Sequence, residues 1–284
     1  HALEALSNSK IKNVYMVGRR GPVQAKFTLL EIKEMGRLED CDPIVSIDAL
    51  NYDDASRAEL NDPGNKSQQK VVSILEDFAQ RAPEGKSRKL HILFTRGPKE
   101  IRGESRVQSI VLERNTLSGE PFKIKAVGTG ETEEIPCGLV FRSVGYRGIA
   151  VPGVPFNEDS GVIPNAGGRV MDGETPVAGM YVVGWIKRGP SGVIGTNKPD
   201  SQATVASLLE DAGSLPPARH RSTVGLLKQL DEKGIRVVTF GDWKRVDALE
   251  VERGQGLGKP REKFTSIQAI LDLVDSRPPD EASE

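Results

Sequence analysis

Two stretches carry residues whose type and spacing could do chemistry. The first is Gly18-Arg19-Arg20-Gly21-Pro22, which follows the strand-like run Val14-Tyr15-Met16-Val17. The order reads as strand, glycine-bounded arginine pair, then a helix begun by proline. Open parallel sheets bind ligands beyond the carboxyl ends of their strands, where this order places the two cations. A guanidinium is permanently charged and offers a planar fork of donors. Two in succession suit a phosphate monoester such as the 2'-phosphate of NADP, whereas a carboxylate would suit the free ribose hydroxyls of NAD. Two solvated arginines at a turn would have the same local sequence, and the pair alone does not separate these readings.

The second stretch is Gly184 to Thr196, with four glycines, one proline, Trp185 and the cations Lys187 and Arg188. It leaves the apolar run Met180-Tyr181-Val182-Val183 and enters a helix-like segment near Ser201. Glycine permits unusual dihedrals and close approach, so the stretch reads as a cofactor loop or as an ordinary glycine-rich turn. A third segment, Gly254 to Pro260, only imitates a phosphate loop. It lacks the required spacing, and Pro260 stands where the hydroxyl should be.

The elements that must hold these stretches follow from periodicity. After Pro22 a helix is expected, with Val23, Phe27, Leu30 and Glu34 along one column. Residues 48–58 and 62–69 are polar and turn-rich, and Val71 to Gln80 reads as an amphipathic helix. Strands are expected at 90–94 and 106–114, then a hairpin around Gly128-Thr129-Gly130. Cys137 to Tyr146 reads as an apolar strand, as does Gly179 to Val183. A helix at 201–210 leads to a proline-bearing linker at 213–218. Beyond it the pattern gives a helix at 222–232, a strand at 235–240, a helix at 242–253 with Asp242 as N-cap, and a helix at 266–273.

Composition sets the bounds. The chain has 284 residues, 37% hydrophobic and 28% charged, enough for about two domains. Lys and Arg number 39 against 40 Asp and Glu, so no charge excess points to nucleic acid or an anionic membrane. No apolar run approaches the roughly 20 residues of a membrane span. Cys41 and Cys137 form no C-x-x-C pair, and His1, His91 and His220 sit in no ligand-type cluster, so no metal site is expected.

Taken together, Gly18 to Thr28, Glu31, Leu139 to Arg147, Val151 to Phe156, Gly184 to Lys198 and Gly258 to Phe264 resemble the adrenodoxin reductase type of ferredoxin-NADP reductase, the bacterial members more than the mitochondrial ones. The resemblance runs in order over nearly the whole chain. It implies an α/β, two-dinucleotide-binding flavoprotein with Rossmann-like FAD and NAD(P) domains. It also implies an enzyme that passes electrons from NADPH through FAD to a ferredoxin or adrenodoxin-like iron-sulfur protein. Carried over by motif, Arg19, Arg20 and Glu31 would hold NADP. Trp185, Gly192, Val193 and Ile194 would hold the flavin, with Gly192 also approaching the nicotinamide. Apart from the motif, Lys33 and Arg37 are expected on the helix after the arginine pair, where they read either as cations for an acidic ferredoxin surface or as a solvated helix face.

The family's two glycine fingerprints are missing from this sequence. The resemblance therefore implies a chain truncated at its N-terminus, with its acid/base residues outside it and no catalytic side chain within it. The expected division is an incomplete NADPH domain (1–137), the end of the FAD domain (138–215) and a C-terminal extension packing on it (216–284). A monomer is expected, in the cytoplasm, with the mitochondrial matrix as the alternative. A glutamate-synthase small-subunit-like flavoprotein and a non-catalytic nucleotide-binding module remain the competing readings.

Overall fold

The computed structural model describes residues 2–192, 194–217 and 222–276. They form two compact units, one from Ala2 to Arg142 and one from Ser143 onward.

In the first unit helix α1 (Leu3–Ser7) precedes three parallel strands, β1 (Asn13–Val17), β2 (Cys41–Val45) and β3 (Arg88–Leu93), in spatial order β1-β3-β2. A 3-10 turn (Pro22–Gln24) and α2 (Leu29–Met35) connect β1 to β2, and α3 (Asp54–Asn61) and α4 (Lys66–Gln80) connect β2 to β3. Helix α4 buries Val71, Val72, Leu75 and Phe78, the spacing of one helical face. With Ile32, Val45, Leu90, Ile92 and Phe94, most of that face makes the core that holds the sheet. An antiparallel sheet of β4 (Arg96–Arg102), β5 (Ser109–Ser118) and β6 (Lys125–Pro136) completes the unit.

Several expectations for this unit are corrected. The α-helix after Pro22 begins only at Leu29, because Thr28 supplies an N-cap and residues 25–28 form no helical turn. The turn-rich stretch contains α3 and the start of α4, since Asp53 caps α3 by accepting the Ser56 amide at 2.7 Å. Gly128-Thr129-Gly130 is no hairpin tip. It lies at a bulge within β6, where the Glu113 carboxylate accepts the Gly130 amide at 2.8 Å, and the β5–β6 turn falls at 119–124. Cys137 to Tyr146 forms no strand and leaves Phe141 and Val144 exposed.

In the second unit β7 (Asn165–Ala166), β8 (Arg169–Asp172) and β9 (Thr175–Tyr181) form a small antiparallel sheet over Ile163, Val170 and Val182. A one-turn helix α5 (Trp185–Arg188) and a 3-10 turn (Ile194–Thr196) lead into α6 (Asn197–Asp211). Helix α6 docks through polar groups. Thr204 Oγ1 donates to the Val182 carbonyl at 3.1 Å and Ser207 Oγ to the Gly167 carbonyl at 2.8 Å. Arg169 grips Asp211 with two bonds of 2.7 and 2.9 Å. Helices α7 (Val224–Glu232), α8 (Phe240–Gln255) and α9 (Ile267–Asp275) follow. Residues 235–240 make no strand, and Thr239, not Asp242, is the N-cap of α8. Asp242 is its capping-box partner, accepting the Thr239 amide at 2.9 Å.

Candidate functional site

The arginine pair stands where the parallel sheet ends. The Gly18 amide donates to the Leu93 carbonyl at 2.8 Å, one residue beyond β1 and level with the end of β3. The next three carbonyls are all held: Gly18 O by the Arg96 amide, Arg19 O by Asn115 Nδ2 and Arg20 O by the Thr95 amide, each at 3.0 Å. Both arginine side chains are exposed, and neither makes a hydrogen bond or ion pair among the described residues. A fixed backbone thus presents two unengaged guanidinium forks, an arrangement suited to a phosphate group.

A cavity of about 120 Å³ lies beside the pair, walled by Gln24, Asp48, Asp53, Ser56, Thr95 and Leu117 among others. Ligand pockets usually exceed about 300 Å³, and two carboxylates in the wall disfavour an anion. The exposed pair suits an anion better than the cavity does. Gln24 lines the cavity, donating to Ser56 Oγ at 3.2 Å and Glu59 Oε2 at 3.4 Å, while its Oε1 is buried with no partner among the described residues.

Glu31 lies in the first turn of α2 and is exposed. Its Oε2 accepts the Thr28 amide at 2.8 Å while Thr28 Oγ1 accepts the Glu31 amide at 3.3 Å, a reciprocal capping box. The Thr28 amide, and then its hydroxyl, hold the Glu31 carboxyl below its ordinary value. Lys33 is exposed on α2. Arg37 is exposed too, but α2 ends at Met35, so Arg37 lies beyond the helix expected to carry both cations.

The glycine-rich stretch of the second unit is tied down from beneath. Gly184 takes φ +77° and opens α5, and Trp185, 46% exposed, stacks on Tyr146 with ring centroids 5.6 Å apart. Gly192 has φ +81°, and a Cβ there would fall 2.5 Å from Thr196 Oγ1, so only glycine fits without movement. Val193 lies outside the described residues, as do His1 and His220, and Ile194 opens the 3-10 turn.

Asp200, not singled out from sequence, and Arg188, read there only as one of two cations, organise this lip. Asp200 Oδ2 accepts the Gly184 amide at 2.7 Å, and its Oδ1 pairs with Lys187 Nζ at 2.9 Å. The Gly184 amide is the leading cause that holds the Asp200 carboxyl below its ordinary value, with Lys187 and Arg188 adding to it against the effect of burial. Arg188 bonds the Ser191 carbonyl, Thr196 Oγ1 at 3.2 Å and Asn197 Oδ1 at 2.7 Å, drawing the strand-side and helix-side ends of the stretch together. An acid in the first turn of a helix and a cation before a glycine are the only sequence signals for either.

Among the described residues no group of three or more His, Cys, Asp or Glu could hold a metal ion, and no helix is long and apolar enough to cross a membrane.

No protein-family model matches the chain. It is 40% identical over 283 residues to NADPH-ferredoxin reductase FprA of Mycobacterium tuberculosis (strain ATCC 25618 / H37Rv), taking in 95% of this chain and 59% of that protein. It is 39% identical over 284 residues to the mitochondrial NADPH:adrenodoxin oxidoreductase of Homo sapiens, covering 96% and 57% of the two chains. The structure of Mycobacterium tuberculosis FprA in complex with NADPH superposes with a TM-score of 0.83 at 38% identity, over 96% of this chain and 60% of that one. The chain therefore spans somewhat under two thirds of the length of these relatives. Over that span it has the mixed α/β, two-dinucleotide-binding flavoprotein fold.

Proposed function

We propose, from the 40% identity to FprA over 59% of that protein's length, that this chain is part of a flavin-dependent oxidoreductase of the NADPH-ferredoxin and NADPH:adrenodoxin reductase family. It takes electrons from NADPH and delivers them through FAD to a ferredoxin or adrenodoxin-like iron-sulfur protein. The observation that carries this reading is the Arg19-Arg20 pair, its guanidinium groups without partners among the described residues and its backbone fixed at the carboxyl end of β1. A 2'-phosphate bonded to both forks gains charge-assisted hydrogen bonds that NADH cannot make. Glu31 borders the same end of the unit, with one carboxylate oxygen bound in its helix cap.

FAD, when bound, supplies the two-electron acceptor that can hand electrons on to one-electron carriers. The residues of the lip fit a flat ring system: Trp185 offers an exposed aromatic face and Gly192 an approach without a Cβ. We assign the flavin to Trp185, Gly192, Val193 and Ile194, and the nicotinamide to Gly192. Helix α6 starts immediately after them, and its amino-terminal dipole favours negative charge on the ring. Lys33 and Arg37 are the candidate cations for an acidic iron-sulfur partner. No catalytic side chain is assigned within these residues. We place the protein in the cytoplasm as a monomer, with the mitochondrial matrix as the alternative.

The test is electron delivery. The protein purified with FAD should reduce an added [2Fe-2S] ferredoxin with NADPH, read through cytochrome c reduction, and do so poorly with NADH. Bound flavin with no ferredoxin reduction from NADPH would overturn the reading.

A further inference from the structure

We propose that Asn115 is a positioning residue for the arginine pair and that it sets the preference for a 2'-phosphorylated nucleotide. The proposal rests on the reading of Arg19 and Arg20 given above, and it concerns a residue 96 positions from Arg19 in the chain.

The Arg19 carbonyl belongs to the peptide plane that joins Arg19 to Arg20. Asn115 Nδ2 donates to that oxygen at 3.0 Å. The planes before and after it are held by the Arg96 and Thr95 amides. Of three consecutive planes, the two outer ones are fixed by backbone and the central one by a side chain. Turning the central plane changes the directions in which the two arginine side chains leave the chain, and so whether both forks can meet one phosphate. Long exposed side chains hold about 2 kcal/mol of rotamer entropy each, so the backbone is what organises the pair in advance.

Three features seat Asn115 for this task. It lies where the pairing of β5 with β6 shifts register between Glu113 and Asn115, a bulge that re-aims side chains. Its own amide donates to the Thr95 carbonyl at 2.9 Å, and Thr95 takes φ +51°, unusual for a β-branched residue. Gly97 leaves room for the amide: a Cβ there would stand 3.3 Å from Nδ2 and 3.5 Å from Oδ1. Strained and glycine-lined backbone is thus spent on holding one amide against one carbonyl.

The test titrates the protein with 2',5'-ADP and with 5'-AMP by calorimetry. The wild type should prefer 2',5'-ADP. Asn115→Ala and Asn115→Leu, the second keeping the side-chain volume, should lose about fivefold to tenfold of that preference, the value of one hydrogen bond. Affinity for 5'-AMP and the melting temperature should hardly move, which separates positioning from a merely structural role. Gly97→Ala, which crowds the amide without removing it, should shift the preference in the same direction and serves as the second route should either Asn115 variant fold poorly. An undiminished preference in the folded variants would overturn the proposal. A wild type that binds both ligands equally would instead overturn the reading of the arginine pair, and this inference with it.

Discussion

Asp200 and Gly184 are 16 residues apart in sequence and 2.7 Å apart in space, the carboxylate of one accepting the backbone amide of the other. That bond closes the glycine-rich lip into a loop whose base is nearly buried, with Asp200 9% and Lys187 11% exposed at their side chains. The lip therefore does not depend on a ligand for its starting direction. Its polar base, not its glycines, fixes where Trp185 stands.

Removing that base should loosen the second unit. Asp200→Ala leaves the Lys187 ammonium without its carboxylate and the Gly184 amide without an acceptor, an expected loss of about 3 kcal/mol. Asp200→Asn keeps an acceptor and should cost less, about 1–2 kcal/mol. Both tryptophans, Trp185 and Trp243, belong to this unit, so denaturation followed by tryptophan emission measures it directly. Equal stability of Asp200→Ala and wild type would remove the pair from the account.

The same carboxylate gives a pH dependence. Its folded-state pKa is depressed below the usual value of about 3.9, so it contributes stability above that value. The contribution falls away as the pH drops through the depressed pKa. Between pH 5 and 2, wild-type tryptophan emission should report a loss of stability that is smaller in Asp200→Asn, where there is no carboxylate to protonate.

How far the site is legible in sequence depends on the distance over which each residue acts. The arginine pair can be read because a strand, two glycines and a proline are local signals. Asn115 and Asp200 cannot, because each gains its meaning from one backbone group that only the fold brings near. Strand β2 is not legible in the sequence, since Pro43 interrupts an already weak pattern and its pairing with β3 spans the whole of α3 and α4. Conversely, Cys137 to Tyr146 and Ile235 to Phe240 have strand-like composition, yet no strand pairs with either among the described residues, and composition cannot supply a neighbour. The late start of α2 was written in Thr28-x-x-Glu31, a capping box that outweighs the helical spacing before it.

That capping box can be tested by itself. Thr28→Ala should cost about 1 kcal/mol and raise hydrogen exchange in the first turn of α2, Leu29 to Ile32, with little effect on the parallel sheet. Unchanged exchange there would mean that tertiary packing alone sets the start of the helix.

Gly192→Ala should damage flavin binding. A side chain at φ +81° costs about 1–3 kcal/mol, and the new Cβ meets Thr196 besides. FAD affinity should fall about tenfold or more. Gly195→Ala, whose Cβ would meet nothing within 4 Å, is the matched control and should stay within about twofold of wild type. Equal losses at both positions would point to general fragility of the lip.

The central claim, that this protein draws electrons from an NADPH whose 2'-phosphate is held by the Arg19-Arg20 pair, is tested most directly by anaerobic titration of the FAD-loaded protein while the flavin absorbance is followed. NADPH should bleach the wild-type flavin at concentrations at least tenfold below those NADH requires, and replacing both arginines with Gln should bring the two requirements together by weakening NADPH. Bleaching by NADPH and NADH at equal concentrations in the wild type, or an NADPH preference that survives the loss of both arginines, would contradict it.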